Sequence, residues 1–467
     1  MPAFALEPEH TVRCAELRAL AAERLRPIAD RGEPGRVNRP LVAELGRLGL
    51  LARLFTAGAL DLCLLRESLA YACTEAETAL ALQGLGAHPV HAHGTPAQRK
   101  RWLPRVADGS AVAAFALSEP GAGSDAAALA LRAEPVDTTA VATALRAERA
   151  GASATTASAG GVRDGGVRGV DRRDGDARGS AVPDGGMRDG DARDGGARHG
   201  DARGGDALGS AVPDGGAGGG VAVAAEPDGS SGWRLTGEKC WISNAPEADF
   251  YTVFARTTPG AGARGVTAFL VPADRPGLTG TALDMISPHA IGTLGFDAVP
   301  VTADDVLGVT DRGFRVAMDT LNLFRPSVGA FAVGMAQAAL DATVLHTARR
   351  DAFGGKLRDL QTVAHQVAEM ALRTEAARLM VYAAATAYDE GAPDIPRRAA
   401  MAKLLATETA QYVVDTAVQL HGARALERGH LLEHLYREVR APRVYEGASE
   451  VQRGIIAKEL YAQLEVQ

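Results

Sequence analysis

Residues 115–125 read Phe-Ala-Leu-Ser-Glu-Pro-Gly-Ala-Gly-Ser-Asp, and the character of the chain changes across them. Before them, from residue 8 to about 112, Ala, Leu, Arg and Glu dominate, and apolar residues recur at spacings of three and four, as in CAELRALAAERLRPIAD and LVAELGRLGLLARLF. That spacing lays an apolar stripe along a helix. Pro27, Gly32, Pro34 and Pro40 divide the region into several helices. From Val112 onward come short apolar or alternating runs, VAAFALSEP, WRLTGEKCWIS, FYTVFART, VTAFLVPA and FDAVPVT, each bounded by Gly, Pro or Asp, as antiparallel strands should be. Long helical patterns return from about Phe314 and continue to the end. The expected class is therefore α+β: an N-terminal helical domain over 1–112, a middle antiparallel β domain over 113–311, and a C-terminal four-helix bundle over 312–467.

One stretch fits none of these patterns. Between about 136 and 227 the chain is rich in Gly, Asp and Arg, nearly free of large apolar residues, and spells GSAVPDGG at 179–186 and again at 209–216. A solenoid repeat needs apolar residues to stack, so this segment is expected to be a disordered insertion in the β domain. Arg132-Ala-Glu-Pro135 and Ala224-Ala-Glu-Pro227 flank it. Its removal would join ALALRAEP to DGSSGWRLTGEKCWIS, as the two arms of a hairpin.

Apolar residues make up 46% of the chain and charged residues 23%, an ordinary balance for a globular protein. The net charge of −7 argues against nucleic acid as a partner, although a local basic cluster could still take an anionic ligand. No window approaches the roughly 18 apolar residues of a membrane span, and the first residues, MPAFALEPEH, lack a secretory pattern. Cys14, Cys63, Cys73 and Cys240 are scattered and read as reduced thiols of a cytoplasmic protein. His88, His91 and His93 lie close in sequence, but without a neighbouring Cys or carboxylate they do not make a metal pattern; no metal is expected.

Four motifs carry polar chemistry. The first is 115–125 itself, where a strand runs into a Pro-Gly turn and two glycines precede Ser124; such a loop suits close approach of backbone amides to a flat polar ring or a phosphate, though a Gly-rich turn alone is a weak signal. The second is Lys239-Cys-Trp-Ile-Ser-Asn244, with Trp241 and Ser243 two residues apart and so on one strand face. The third is Arg349-Arg-Asp-Ala-Phe-Gly-Gly355 ahead of Gln361, where an arginine at a helix end is either a dipole cap or a phosphate clamp. The fourth is Tyr445-Glu-Gly-Ala-Ser-Glu-Val-Gln-Arg453, with Glu446 ahead of a helix.

Taken in order with Gln-Leu-His-Gly at 419–422, these motifs resemble the acyl-CoA dehydrogenase family along nearly the whole chain outside the insertion. The resemblance implies FAD as cofactor, lined by Phe115, Leu117, Ser118, Gly123, Ser124, Trp241 and Ser243. It further implies that Arg350, Phe353, Gln361, Gln419 and Gly422 hold the FAD of a neighbouring subunit, with Ala448 and Glu450 close by. It implies an acyl-CoA substrate met by Ser124, Asn322, Arg325, Tyr445 and Gly447, and Glu446 as the base that takes the α proton. A homodimer or homotetramer and an electron-transfer flavoprotein as acceptor are implied in the same way. The chemistry of the residues agrees: a carboxylate in a dry pocket becomes a stronger base, and backbone N–H groups near Glu446 and Gly447 suit a developing enolate. Ala448 and Glu450 stand where relatives commonly carry Thr and Gln, Asn322 where Asp is common, and Ala423 where a second Gly is common, which bears on FAD affinity and acyl preference. The same fold also carries acyl-CoA oxidases and flavin monooxygenases, and a scaffold role for the long loop is a further alternative that Glu446, Trp241 and Arg325 oppose.

Overall fold

The computed structural model of the protein describes residues 6–137, 231–462 and 464. The helical start is as expected, with one difference. Helix α1 (Pro8–Leu20) does not stop at Pro27 but runs through a π turn, Ala21–Leu25, into α2 (Arg26–Ala29). The wide turn just before the proline accommodates its missing N–H. Next come α3 (Arg39–Arg47), capped by the Asn38 side chain, then α4 (Ala59–Ala72), α5 (Thr74–His93) and α6 (Pro96–Ala107), the last opened by a reciprocal Thr95–Gln98 cap. His88, His91 and His93 occupy the final turns of α5. Among the described residues no group of three His, Cys, Asp or Glu could hold a metal.

Eight strands form one sheet: β1 (Ala113–Ala116), β2 (Arg132–Asp137), β3 (Ser231–Ser243), β4 (Phe250–Arg256), β5 (Val266–Pro272), β6 (Leu278–Leu283), β7 (Ile291–Thr302) and β8 (Val306–Leu307). Their order is β6-β7-β3-β2-β4-β5-β8, with β1 also beside β4. The sheet is mixed, which corrects the antiparallel expectation: β1 pairs in parallel with the first half of β4, and β2 touches its far end in parallel through Arg132 and Arg256. The chain enters β1 from α6, leaves the sheet after Ala116, and rejoins the same edge of β4 at Arg132 in the same direction. Residues 117–131 are thus a detour from one sheet edge, and this detour contains the Gly-rich motif.

Strands β2 and β3 pair antiparallel from Arg132–Thr236 to Asp137–Ser231. These are the two arms of the expected hairpin, except that β2 extends two residues into the span assigned to the insertion. The rest of that span, including both GSAVPDGG copies, lies outside the described residues.

Helix α7 (Gly313–Arg349) is 37 residues long. A small hairpin, β9 (Asp351–Ala352) with β10 (Gly355–Lys356), leads to α8 (Gln361–Asp389), α9 (Ile395–His421), α10 (Leu431–Glu438) and α11 (Ser449–Ala462). The C-terminal region is built on α7, α8 and α9, with α4 packed on α7 and α11 on α9. Close approach explains two glycines of α7. A Cβ at Gly334 would lie 2.4 Å from the Glu67 carbonyl of α4, and one at Gly329 would lie 2.7 Å from Val381 of α8. Contrary to the sequence expectation, α7 is by length and composition apolar enough to cross a membrane, but 72% of its most apolar window is buried inside the molecule. It is the central core helix of the bundle. Phe250, Phe254, Phe269, Phe324 and Phe331 are among the largest fully buried side chains, each worth roughly 1.5–3 kcal/mol of transfer free energy.

Because Asp137 and Ser231 already face each other across the ladder, a two-residue turn can close it. Replacing residues 138–230 with Asn-Gly is expected to leave the melting midpoint unchanged or raised, since loop-closure entropy grows slowly with length. A fall of about 4 °C or more on calorimetry, roughly 1–2 kcal/mol, would show that the long connection stabilises the fold.

Candidate active site

The detour at 117–131 is held from beneath by one buried lysine. Lys239 of β3 is fully buried; its Nζ donates to the Leu117 carbonyl at 2.9 Å and to Glu119 Oε1 at 2.7 Å. The Glu119 carboxylate also accepts from the backbone N–H groups of Ala130 at 2.6 Å and Leu131 at 3.0 Å. Both ends of the detour therefore meet at one ion pair. Burial lowers the Lys239 ammonium to about 8, against the pull of Glu119 in the other direction. The N–H of Cys240 donates to the Ser118 carbonyl at 3.0 Å, so the first and second motifs are adjacent.

Strand β3 does not alternate evenly ahead of Trp241 and Ser243. The register of β3 on β7 shifts between Lys239 and Ile242, and Trp241 adopts φ +56°. This bulge turns Lys239 and Ile242 into the core and leaves Trp241 50% exposed beside the detour. Asn244, at φ +64°, closes the strand by donating its side-chain N–H to the Ala113 carbonyl at 2.9 Å. Phe115 packs against Phe254 and Leu117 is buried, whereas Gly123 and Ser124 lie exposed on the rim.

The fourth motif meets α7. Glu446 has φ +51° and Gly447 φ +93°, both left-handed, and a Cβ at Gly447 would lie 2.5 Å from Gln452 Nε2, so glycine is required there. Four hydrogen bonds pin these two peptides by their carbonyls. Arg325 Nε donates to the Glu446 carbonyl at 3.3 Å and Gln452 Nε2 to the same oxygen at 3.1 Å; Lys403 Nζ donates to the Gly447 carbonyl at 2.7 Å and Gln452 Nε2 again at 2.9 Å. Among the described residues the N–H groups of Glu446 and Gly447 have no acceptor. The Glu446 Oε2 is buried with no hydrogen-bond partner. Burial raises the Glu446 pKa, and Arg66, Lys403 and Arg325 oppose the rise. Burial also brings the Lys403 ammonium down to about 8. Asn322 accepts from Arg325 Nη1 at 3.3 Å, while Tyr445 is partly exposed.

The remaining residues gather at the far end of the bundle. Arg350 caps the C-terminus of α7, and Phe353 is 90% exposed at φ +53°. His346 stacks on His421 with ring centroids 4.1 Å apart, which brings the turn after α7 beside Gln419 and Gly422. Gln361 opens α8 and is exposed. Ala448 is half-buried, and the exposed Glu450 pairs with Arg453 at 3.6 Å. The motifs thus condense into three clusters. A cleft of about 660 Å³ between Arg373, Glu408, Tyr412, Arg440 and Arg443 does not include Glu446.

Sequence reasoning missed Lys403, Gln452, Arg66, Glu77 and Ser327. Lys403 falls on the apolar face of α9, between Ala399, Ala406 and Ala410, and Arg66 interrupts the apolar run of α4. A charge at a core position of an amphipathic helix is a legible signal.

Three family models match this chain in order: the acyl-CoA dehydrogenase N-terminal domain at 7–110, the middle domain at 213–299 and the C-terminal domain at 311–461. A probable acyl-CoA dehydrogenase of Mycobacterium tuberculosis is 37% identical over 51% of this chain and 62% of its own length. The mitochondrial short-chain specific acyl-CoA dehydrogenase of Bos taurus is 40% identical over 52% of this chain and 59% of its own. The aligned stretch thus spans about six-tenths of these relatives. Among solved structures, butyryl-CoA dehydrogenase from Megasphaera elsdenii superimposes with a TM-score of 0.73 at 25% identity, covering 98% of this chain and 99% of that one. PigA with FAD and proline shares the fold at 20% identity, with a TM-score of 0.73 over 98% of this chain and 99% of its own.

Removing Lys239 strands a buried carboxylate. Lys239→Met is expected to cost about 3–5 kcal/mol in urea unfolding, and the double variant with Glu119→Gln distinctly less, because the second change removes the unpaired charge. A single-variant loss below about 1 kcal/mol would mean that the pair is no more than a surface contact.

Proposed function

Since the chain belongs to the acyl-CoA dehydrogenase family, whose members depend on FAD, we propose that it desaturates an acyl-CoA thioester between Cα and Cβ, with Glu446 as the base. The observation that carries this reading is the buried, unpartnered Oε2 of Glu446 on a left-handed backbone pinned by Lys403, Arg325 and Gln452. A carboxylate whose pKa burial has raised accepts the weakly acidic α proton more readily than an exposed one. The clamp fixes both peptides by their carbonyls, and the N–H groups of Glu446 and Gly447, which have no acceptor among the described residues, would donate to the thioester oxygen as charge develops on it. Asn322 and Arg325 of α7, with Ser124, Tyr445 and Gly447, would meet the substrate.

The residues also fit FAD. A Cβ at Gly121 or Gly123 would meet no chain atom within 4 Å, so the chain itself does not require glycine there, whereas a ligand pressed on the loop backbone would. Trp241 is large, half exposed and held at positive φ beside that loop. Phe115, Leu117, Ser118, Gly123, Ser124, Trp241 and Ser243 would line the flavin; Arg350, Phe353, Gln361, Gln419 and Gly422 would hold the cofactor of a neighbouring subunit in a homodimer or homotetramer, with Ala448 and Glu450 close by. Bound FAD supplies the acceptor for the β hydrogen and its electron pair, and an electron-transfer flavoprotein would take those electrons onward. The domains divide at about 112 and 311 in this reading.

Glu446→Gln is expected to keep FAD while slowing anaerobic bleaching by acyl-CoA at least about 1,000-fold, since the base is gone. Bleaching near the native rate would point to another carboxylate. Lys403→Met removes a cation that holds the Glu446 pKa down. Activity needs ionised Glu446 and so rises with pH through that pKa; the acid limb of the rate profile is expected to move to higher pH. An unmoved limb would show that Lys403 acts on the backbone alone.

A further inference from the structure

Glu446 is not the only buried polar group left open in this corner. Arg66, in the middle of α4, is 2% exposed, and Glu77 on α5 is 1% exposed. Arg66 Nε donates to Glu77 Oε1, and Nη1 donates to Ser327 Oγ on α7 at 2.6 Å. Among the described residues Arg66 Nη2 has no hydrogen-bond partner. The turn of α7 that carries Ser327 also carries Arg325, which donates to the Glu446 carbonyl at 3.3 Å. Of the cations acting on the Glu446 carboxylate, Arg66 is the strongest, ahead of Lys403 and Arg325. Arg66 acts on Tyr445 as well.

The place of this guanidinium decides what it can meet. In the reading above, Cα of the substrate faces Glu446 Oε2 and the CoA end leaves past Asn322 and Arg325. Arg66 of α4 acts on both Glu446 and Tyr445, so this reading directs the part of the acyl group beyond Cβ toward α4 and α5. Arg66 acts there on Glu77, Glu446 and Tyr445, and only part of its guanidinium fork is used by the protein. An unsubstituted alkyl end driven into that corner would strip water from the open N–H and give nothing back. An oxygen would satisfy it.

We infer that the acyl group taken by this protein ends in an oxygen function, a hydroxyl or a carboxylate, received by Nη2 of Arg66; the inference rests on the assignment of Glu446 as base. A site built to hydrogen-bond a substrate oxygen rejects an analogue without one far more strongly than an apolar pocket rejects an extra methylene. Arg66 is then a specificity residue, and Glu77 and Ser327 position it.

The test uses CoA esters matched in length and differing only at the far carbon. The five-carbon set is pentanoyl-, 5-hydroxypentanoyl- and glutaryl-CoA, and an eight-carbon set repeats the three ends. Each ester is titrated calorimetrically into the Glu446→Gln protein for its Kd and mixed anaerobically with the native holoenzyme for flavin bleaching. At one length or both, an oxygen-ended ester is expected to bind about tenfold or more tightly than its methyl-ended partner. Whether hydroxyl or carboxylate leads identifies the chemistry. Arg66→Met combined with Glu77→Leu removes both charges together and is expected to reverse the order in favour of the methyl end. Should that variant lose its flavin, Arg66→Lys, which keeps the charge but not the fork, is expected to narrow the preference. Equal or tighter binding of the methyl-ended esters at both lengths overturns the inference, as does binding of none. Preferential binding of an oxygen-ended ester with no bleaching by any ester in the native protein would uphold the Arg66 assignment and reject the proposed chemistry instead.

Discussion

A buried lysine that donates to a backbone carbonyl holds each of the two loops on which this site depends. Lys239 reaches up from β3 to the Leu117 carbonyl, and Lys403 reaches from α9 to the Gly447 carbonyl. In both cases a regular element supplies a rigid base and the charge is spent on an irregular segment. Both ammonium groups are brought down to about 8 by their burial. Such a cation is costly to bury and would be replaced by a hydrocarbon if stability alone were selected. Its return is a fixed loop. Without the first, the Glu119 carboxylate that ties the start of the detour to Ala130 and Leu131 is left as a buried, unpaired charge; without the second, one tether is lost from a left-handed Glu-Gly pair that costs backbone strain to keep.

The division of the chain was legible because periodicity is a long-range average. Helices over the first hundred residues, strands in the middle and long helices afterward all follow from apolar spacing, and the hairpin around the long connection follows from matching flanks. The sheet edge was not legible. That β1 and β2 share one edge of β4 in parallel depends on where the chain re-enters after its detour, and no local pattern encodes that. Pro27 misled for a related reason: it sits within a helical run, because the π turn ahead of it accommodates the missing N–H. Trp241 shows the limit of alternation, since one bulge between Lys239 and Ile242 reverses which side chains face inward.

The motifs reported function better than they reported partners. Glu446 could be singled out from its neighbours Tyr445 and Gly447, yet the groups that tune it, Arg66, Lys403, Arg325 and Gln452, come from α4, α9, α7 and α11. Only Arg325 was read from sequence. The others lay hidden in helices whose pattern says core, although each is a polar residue at a buried position. Polar residues on an apolar face are expensive, and here they converge on one carboxylate.

That convergence separates two buried ion pairs among the described residues. Lys239 and Glu119 are completed by backbone groups from both ends of the detour, so their arrangement ends in structure. Arg66 and Glu77 are equally buried, but the guanidinium spends only part of its fork on Glu77 and Ser327. Burying an incompletely used arginine is a poor way to stabilise helices that otherwise pack through Ala and Leu, since the side chain is desolvated while one arm of its fork makes no bond within the protein. Such a local violation of packing rules is what a site looks like when binding, rather than folding, has set its residues. The strained Glu446 and the open Arg66 are two instances of one pattern, and Arg66 is the strongest of the cations acting on that carboxylate.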